Sequence, residues 1–82
     1  MNGNKLLTVL KAEYVHDYIL RIWFSDGQEK LMDFSSLLSK GICSKLRDLN
    51  YFKRFNIDPF TIDWNNEIGF APEFLYENSV PA

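Results

Sequence analysis

The 82-residue sequence predicts an α+β fold: a small antiparallel β-meander of three N-terminal strands plus a short C-terminal pair, packed with two or three short helices. Three observations point there. Residues 18–24 alternate between two sets of side chains and run into Ser25-Asp26-Gly27, a strong hairpin signal because tight turns need residues that accept positive φ. Leu46, Leu49, Phe52 and Phe55 recur at three-residue intervals, which suits helical turns. Ala71-Pro72-Glu73 puts a proline and an acid where the first turn of a helix takes them.

Length and composition fit one domain spanning 1–82. A hydrophobic fraction of 46% with a net charge of −2 is too apolar and too nearly neutral for a disordered chain. A chain this short buries only about 60% of its unfolded surface. Seven Phe, four Tyr and two Trp compensate, because each ring removes a large area from water.

The elements follow in order. Residues 6–15, rich in Leu and Val with Thr8, Lys11 and Glu13 interspersed, read as a partly covered strand. His16-Asp17 reads as a turn. In the second strand Tyr18, Leu20, Ile22 and Phe24 share one face and Ile19, Arg21 and Trp23 the other. A return strand covers 28–33. If Asp26-Gly27 is a two-residue loop, Ile22 lies opposite Leu31, Trp23 opposite Lys30, Arg21 beside Met32 and Ile19 opposite Phe34. That register is preferred because a one-residue slip sets Lys30 opposite Ile22, on the face to be buried. Both faces then carry apolar residues, so the sheet wants cover from helices on one side and from another chain on the other.

Ser35 is placed as the N-cap of a short helical turn that Gly41 ends, and a second helical stretch starts at Ser44. Strand character returns on both sides of an Asp58-Pro59 turn, at 55–57 and 61–64, and Asn65-Asn66-Glu67 is a further turn. Phe24, Phe34, Phe52 and Trp64 are the expected core.

Taken together, Leu20-Arg21-Ile22-Trp23-Phe24-Ser25-Asp26-Gly27, Asp33-Phe34, Leu46-Arg47-Asp48 with Phe52, Ile62-Asp63-Trp64 and Ala71-Pro72-Glu73-Phe74-Leu75-Tyr76 form an ordered set. In these residues the chain resembles the bacterial domain-of-unknown-function family 2442 (DUF2442). The resemblance implies a small α+β fold and no established activity. It also implies pairing with another small protein encoded alongside, for which toxin–antitoxin roles have been suggested, and some relatives carry an added DNA-binding helix-turn-helix. Members commonly have an aspartate two residues before Ala-Pro-Glu, where this chain has Gly69; any role of that acid is lost here or moved to Glu67.

Chemistry-bearing residues are sparse. Cys43 is the one cysteine, so an internal disulfide and a thiolate metal cluster are excluded, and it reads as a half-buried structural residue. His16 stands alone, beside Asp17. Asp58, Asp63, Glu67, Glu73 and Glu77 follow no cation-loop spacing and read as a solvated or partner-facing surface. Nucleotide-binding glycine loops, nucleophile elbows and zinc motifs do not occur. No catalytic, metal or cofactor residue is therefore assigned, and an enzyme is not expected. Without a run of about 18 apolar residues, a membrane span is not expected either, and the chain is read as cytoplasmic.

Charge is split along the chain. From Lys40 to Arg54 five basic residues stand against one acid, a segment of +4, whereas the remaining C-terminal residues carry five acids and no base. The expected function is a protein-interaction module, with Arg21, Trp23, Lys53 and Arg54 as contact residues. Its partner is another protein, such as a neighbouring gene product, or a second copy of the chain. The alternative is nucleic-acid binding through Lys45, Arg47, Lys53 and Arg54, where aromatics interleave with bases. The acidic isoelectric point near 5.2 weighs against it.

Overall fold

The computed structural model describes residues 6–39, 41–57 and 61–82; Lys40, the Asp58-Pro59 turn and residues 1–5 lie outside the described residues. Strands β1 (Val9–His16), β2 (Ile19–Phe24) and β3 (Glu29–Asp33) form the predicted meander. A short 3₁₀ turn at Ser35–Leu37 and a longer one at Gly41–Arg47 lead into helix α1 (Leu49–Phe52). Then come β4 (Asn56–Ile57), β5 (Ile62–Trp64), β6 (Ile68–Gly69), α2 (Pro72–Asn78) and β7 (Val80–Pro81). The chain thus builds a four-stranded sheet in the order β1-β2-β3-β7 and a three-stranded sheet β4-β5-β6, an α+β fold.

The core lies between one face of the larger sheet and everything that follows it. Val9, Leu20, Ile22, Phe24 and Met32 point inward from the sheet, against Phe34, Leu46, Phe52, Ile62, Trp64, Ile68 and Leu75. The four expected core aromatics are all at most 1% exposed. Phe52 is their hub: its ring meets Tyr14, Tyr18 and Phe34 edge-on and stacks on Trp64. Trp64 Nε1 donates to the Phe52 carbonyl at 2.7 Å, so the indole's one polar group is satisfied inside.

The β2–β3 register is the slipped one. Ile22 pairs with Lys30, Trp23 with Glu29, Arg21 with Leu31 and Ile19 with Asp33. The loop has three residues rather than two: Phe24 N–H donates to the Gln28 carbonyl, and Gly27 takes φ +92°. This is a turn closed by a glycine bulge. Lys30 does sit on the inner face, but the cost anticipated for it is removed by α2. Its ammonium donates to the Tyr76 carbonyl at 2.8 Å in the last turn of α2 and lies 4.1 Å from the centre of the Tyr76 ring. A cation there meets the unpaired carbonyls and negative end of the helix. Gly27→Ala is expected to cost about 1–2 kcal/mol, since a side chain strains at positive φ. The space around Gly27 is open, so the loss is conformational, and a urea midpoint measurement checks it.

Other local readings shift by a residue or change their cap. The first turn is Asp17-Tyr18, with Asp17 at φ +49°, so Tyr18 precedes β2. Ser35 does not cap the first 3₁₀ turn. The Asp33 carboxylate accepts from both Ser35 N–H and Oγ instead, at 2.9 and 2.6 Å. Gly41 takes the left-handed conformation as expected, but as the first residue of the next helical segment. The regular Leu46–Phe55 spacing is broken at Asp48, which caps α1 by accepting from Asn50 N–H, and this leaves Leu49 outside.

Asp26 ties the hairpin to α2. One carboxylate oxygen accepts from Gln28 N–H at 2.9 Å, the other from the Tyr76 hydroxyl at 2.6 Å. The tyrosine bond holds the Asp26 carboxyl below its ordinary range and pushes the Tyr76 hydroxyl up. A lowered carboxyl stabilises the fold above its unfolded pKa and loses that contribution as acid is added. A raised phenol contributes below its unfolded pKa and loses this as pH rises through the folded value. The melting-temperature gap between wild type and Tyr76→Phe is therefore expected to be widest between about pH 5 and 9 and to narrow on both sides. Thermal melts across that range check it.

Candidate protein-interaction surface

The alternation that sends Leu20, Ile22 and Phe24 inward sends Ile19, Arg21 and Trp23 to the opposite face. Register then sets their neighbours. Lys11, Trp23 and Glu29 form one row across β1, β2 and β3. Glu13, Arg21, Leu31 and Val80 form the next row on the same face, reaching β7, and Ile19 and Asp33 lie beyond it. Ile19, Trp23 and Leu31 are absent from the core and from the partly buried side chains packed against it. Both helices, both 3₁₀ segments and the small sheet lie on the inner side, with Leu46, Phe52, Ile62, Trp64, Ile68 and Leu75 as their core contributions. Among the described residues, the outer face is left to itself.

Its charges are paired within the face. Arg21 bridges to Glu29 at 2.9 Å and Lys11 to Glu13 at 3.4 Å, while the Lys11 ammonium lies 4.7 Å from the centre of the Trp23 ring. All four charged groups remain substantially in water, so these pairs contribute little to stability. They flank Trp23; Leu31 and Val80 follow in the next row and Ile19 lies beyond Arg21, with Val80 59% exposed and Ile19, Trp23 and Leu31 half-buried. A tryptophan beside charged groups is a common feature of protein-binding surfaces.

The sheet's edges are less suited to recruit a partner. β1 carries irregularities at Val9/Lys11 and at Tyr14/His16, and β7 is two residues long and ends in Pro81. Bulges, brevity and proline all blunt an edge against strand addition. The face, rather than the edge, is what the larger sheet offers.

The structure separates the other contact residues from this face. Lys53 and Arg54 follow α1, on the inner side of the sheet. The Lys53 ammonium lies 4.9 Å from the Tyr14 ring centre, and Tyr14 is itself packed on the core. Arg54 lines a cleft of 350 Å³ with Tyr51, Asn56, Trp64 and Asn65. Lys45 donates to Glu67 Oε1 at 2.6 Å; that bond raises the Lys45 pKa and lowers that of Glu67. Arg47 is exposed, and its carbonyl accepts from the Tyr18 hydroxyl. The sequence-predicted interaction set therefore divides, Arg21 and Trp23 on one surface and Lys53 and Arg54 on another. Sequence reasoning missed Lys11, Glu29, Leu31 and Val80 as their companions. Alternation in β1 signals Lys11, but Glu29 and Leu31 join the face only in the slipped register.

Cys43 is half-buried and partly packed on the core, and His16 Nδ1 lies 2.9 Å from the Asp17 carboxylate. Among the described residues no group of three or more His, Cys, Asp or Glu is arranged to hold a metal ion. No described helix is long and apolar enough to cross a membrane.

The ordered motifs of the sequence lie at structurally distinct places: the β2–β3 hairpin, the Asp33 turn, α1, β5 and the start of α2. The family described as "Protein of unknown function (DUF2442)" matches residues 9–81, from the first residue of β1 to the last of β7. The chain belongs to this family. No curated protein and no solved structure matches it. Where the resemblance implies an aspartate, Gly69 pairs with Asp63 across β5 and β6, and a Cβ there would meet the Asp63 Cβ at an ordinary 3.8 Å. An acid fits sterically but would stand directly across from a second acid. Glu67, the nearest substitute, is occupied by Lys45.

Proposed function

We propose that this DUF2442 chain is a small protein-interaction module that binds a partner protein through the outer face of its four-stranded sheet. The observation that carries the reading is the position of Trp23: half-buried on the face opposite the core, between Lys11 and Glu29, with Leu31 and Val80 in the next row. A regulatory, antitoxin-like role toward another small protein is the form of this reading that the family resemblance favours. It requires no catalytic centre.

Co-purification from the native host tests it, with wild type, Trp23→Ala and the pair Lys53→Ala/Arg54→Ala as baits, and with the adjacent gene's product followed by mass spectrometry. The expected result is retention by wild type and by the Lys53/Arg54 variant, and loss from Trp23→Ala. Retention by Trp23→Ala contradicts the reading. Salt-sensitive capture of nucleic acid that depends on Lys45, Arg47, Lys53 and Arg54 would support the alternative, with a slope of about one per phosphate neutralised.

A further inference from the structure

The row Lys11-Trp23-Glu29 of the outer face is its own electrostatic complement, and from this we infer that the face also binds a second copy of this chain, sheet against sheet, in a twofold dimer centred on Trp23. The inference rests on the reading of that face as an interaction surface and names one occupant of it.

The argument begins from the order of charges. Across the sheet the first row runs cation, aromatic, anion: Lys11, Trp23, Glu29. When two such faces meet about a twofold axis parallel to β2, β1 of one copy lies over β3 of the other. Lys11 then faces Glu29 of the second copy, Glu29 faces its Lys11, and the two Trp23 rings meet on the axis. Each contact occurs twice, as an isologous interface requires. In the second row the same operation sets Glu13 over Leu31 of the opposing copy and Arg21 over Arg21 on the axis, each guanidinium already neutralised by its own Glu29 at 2.9 Å. A twofold axis across the strands at Arg21 would instead place Glu29 over Asp33, acid on acid.

The two rows carry two bases and two acids, so a strongly acidic or strongly basic partner gains no net attraction there. A surface with the same balance in reversed order does. Sheets packed face to face lie about 10 Å apart with their strands about 30° off parallel, and side chains of the two inner faces interdigitate. Exposed Val80 and the half-buried Trp23, Leu31 and Ile19 supply the apolar contact, and the Lys11–Glu29 contacts fix the orientation.

Charge exchange, read by sedimentation equilibrium at low salt, tests this. Wild type is expected to dimerise and Trp23→Ala to weaken the dimer about 30-fold or more. Lys11→Glu sets acids against Glu29 twice in a homodimer, and Glu29→Lys sets bases against Lys11 twice, so each variant alone is expected to lose at least about tenfold in affinity. Mixing the two restores opposite charges at both contacts, and the double variant K11E/E29K restores them within one chain. Recovery in both cases is the expected result. Circular dichroism melts verify that each variant is folded, and the mixing arm compares the same folded chains alone and together.

A dimer unaffected by either single substitution, or single variants that do not recover on mixing, overturns the inference. A strictly monomeric wild type at millimolar concentration also overturns it. If that monomer still holds a different protein in a Trp23-dependent way, the interaction reading stands and only the self-association fails.

Discussion

Phe52→Ala is expected to bring the chain close to unfolding at 37 °C. Removing a buried phenyl ring costs about 3–5 kcal/mol, a transfer penalty plus the cavity left behind. A domain of this length has about 4–12 kcal/mol in total. Phe52 is also the ring on which Tyr14, Tyr18, Phe34 and Trp64 converge, so few neighbours can collapse into the void without giving up contacts of their own. Each kcal/mol lowers the melting temperature of a domain this size by about 4–8 °C, which places the expected drop at about 15 °C or more. Leu49→Ala is the matched control. Leu49 shares the three-residue spacing but is 37% exposed, and its loss is expected to cost under about 1 kcal/mol. Calorimetry of the two variants decides whether spacing or burial governs the segment.

Trp23→Ala is expected to do the reverse, sparing the fold and removing the interaction. Trp23 is half-buried on the outer face, outside the core, with the Lys11 ammonium 4.7 Å from its ring centre, so the stability change is expected to be about 1 kcal/mol, well below that of Phe52→Ala. At an interface a central tryptophan contributes about 2 kcal/mol or more, a loss of about 30-fold or greater in affinity. Urea unfolding and a binding titration of the same preparation measure both quantities. A variant that binds normally would contradict the binding role, and one that unfolds would show that Trp23 holds the fold.

Much of this was legible in the residues. The alternation of 18–24 separated Leu20, Ile22 and Phe24 from Ile19, Arg21 and Trp23, because a strand has one periodicity and the core takes only one of its phases. The aromatic core was legible for the same reason that it folds: Phe24, Phe34, Phe52 and Trp64 are bulky, and each lies where a partner element can cover it. Register was not legible. Choosing it required knowing that Lys30 would find the Tyr76 carbonyl and ring, a contact 46 residues away that no local pattern announces. β6 and β7 were missed because two-residue strands have no period; Val80-Pro81 is a strand only because β3 offers it an edge. The candidate site was half legible. Arg21 and Trp23 followed from alternation alone, whereas Glu29, Leu31 and Val80 depended on that register and that late strand. Lys53 and Arg54 were grouped with Trp23 by chemistry, and only the placement of α1 on the inner layer separates them.

The central claim, that the outer face of the sheet is where this protein meets another, is tested most directly by the chain's two indole N–H groups. Trp23 stands on the outer face, and Trp64 Nε1 is bonded to the Phe52 carbonyl in the core, so one proton–nitrogen correlation spectrum contains both a reporter and an internal reference. As protein concentration rises from micromolar to millimolar, or as a partner is titrated, the Trp23 indole resonance is expected to shift or broaden with the amides of Lys11, Arg21, Glu29 and Leu31, while that of Trp64 stays in place. A Trp23 signal that never moves while amides around Lys53 and Arg54 do would contradict the account.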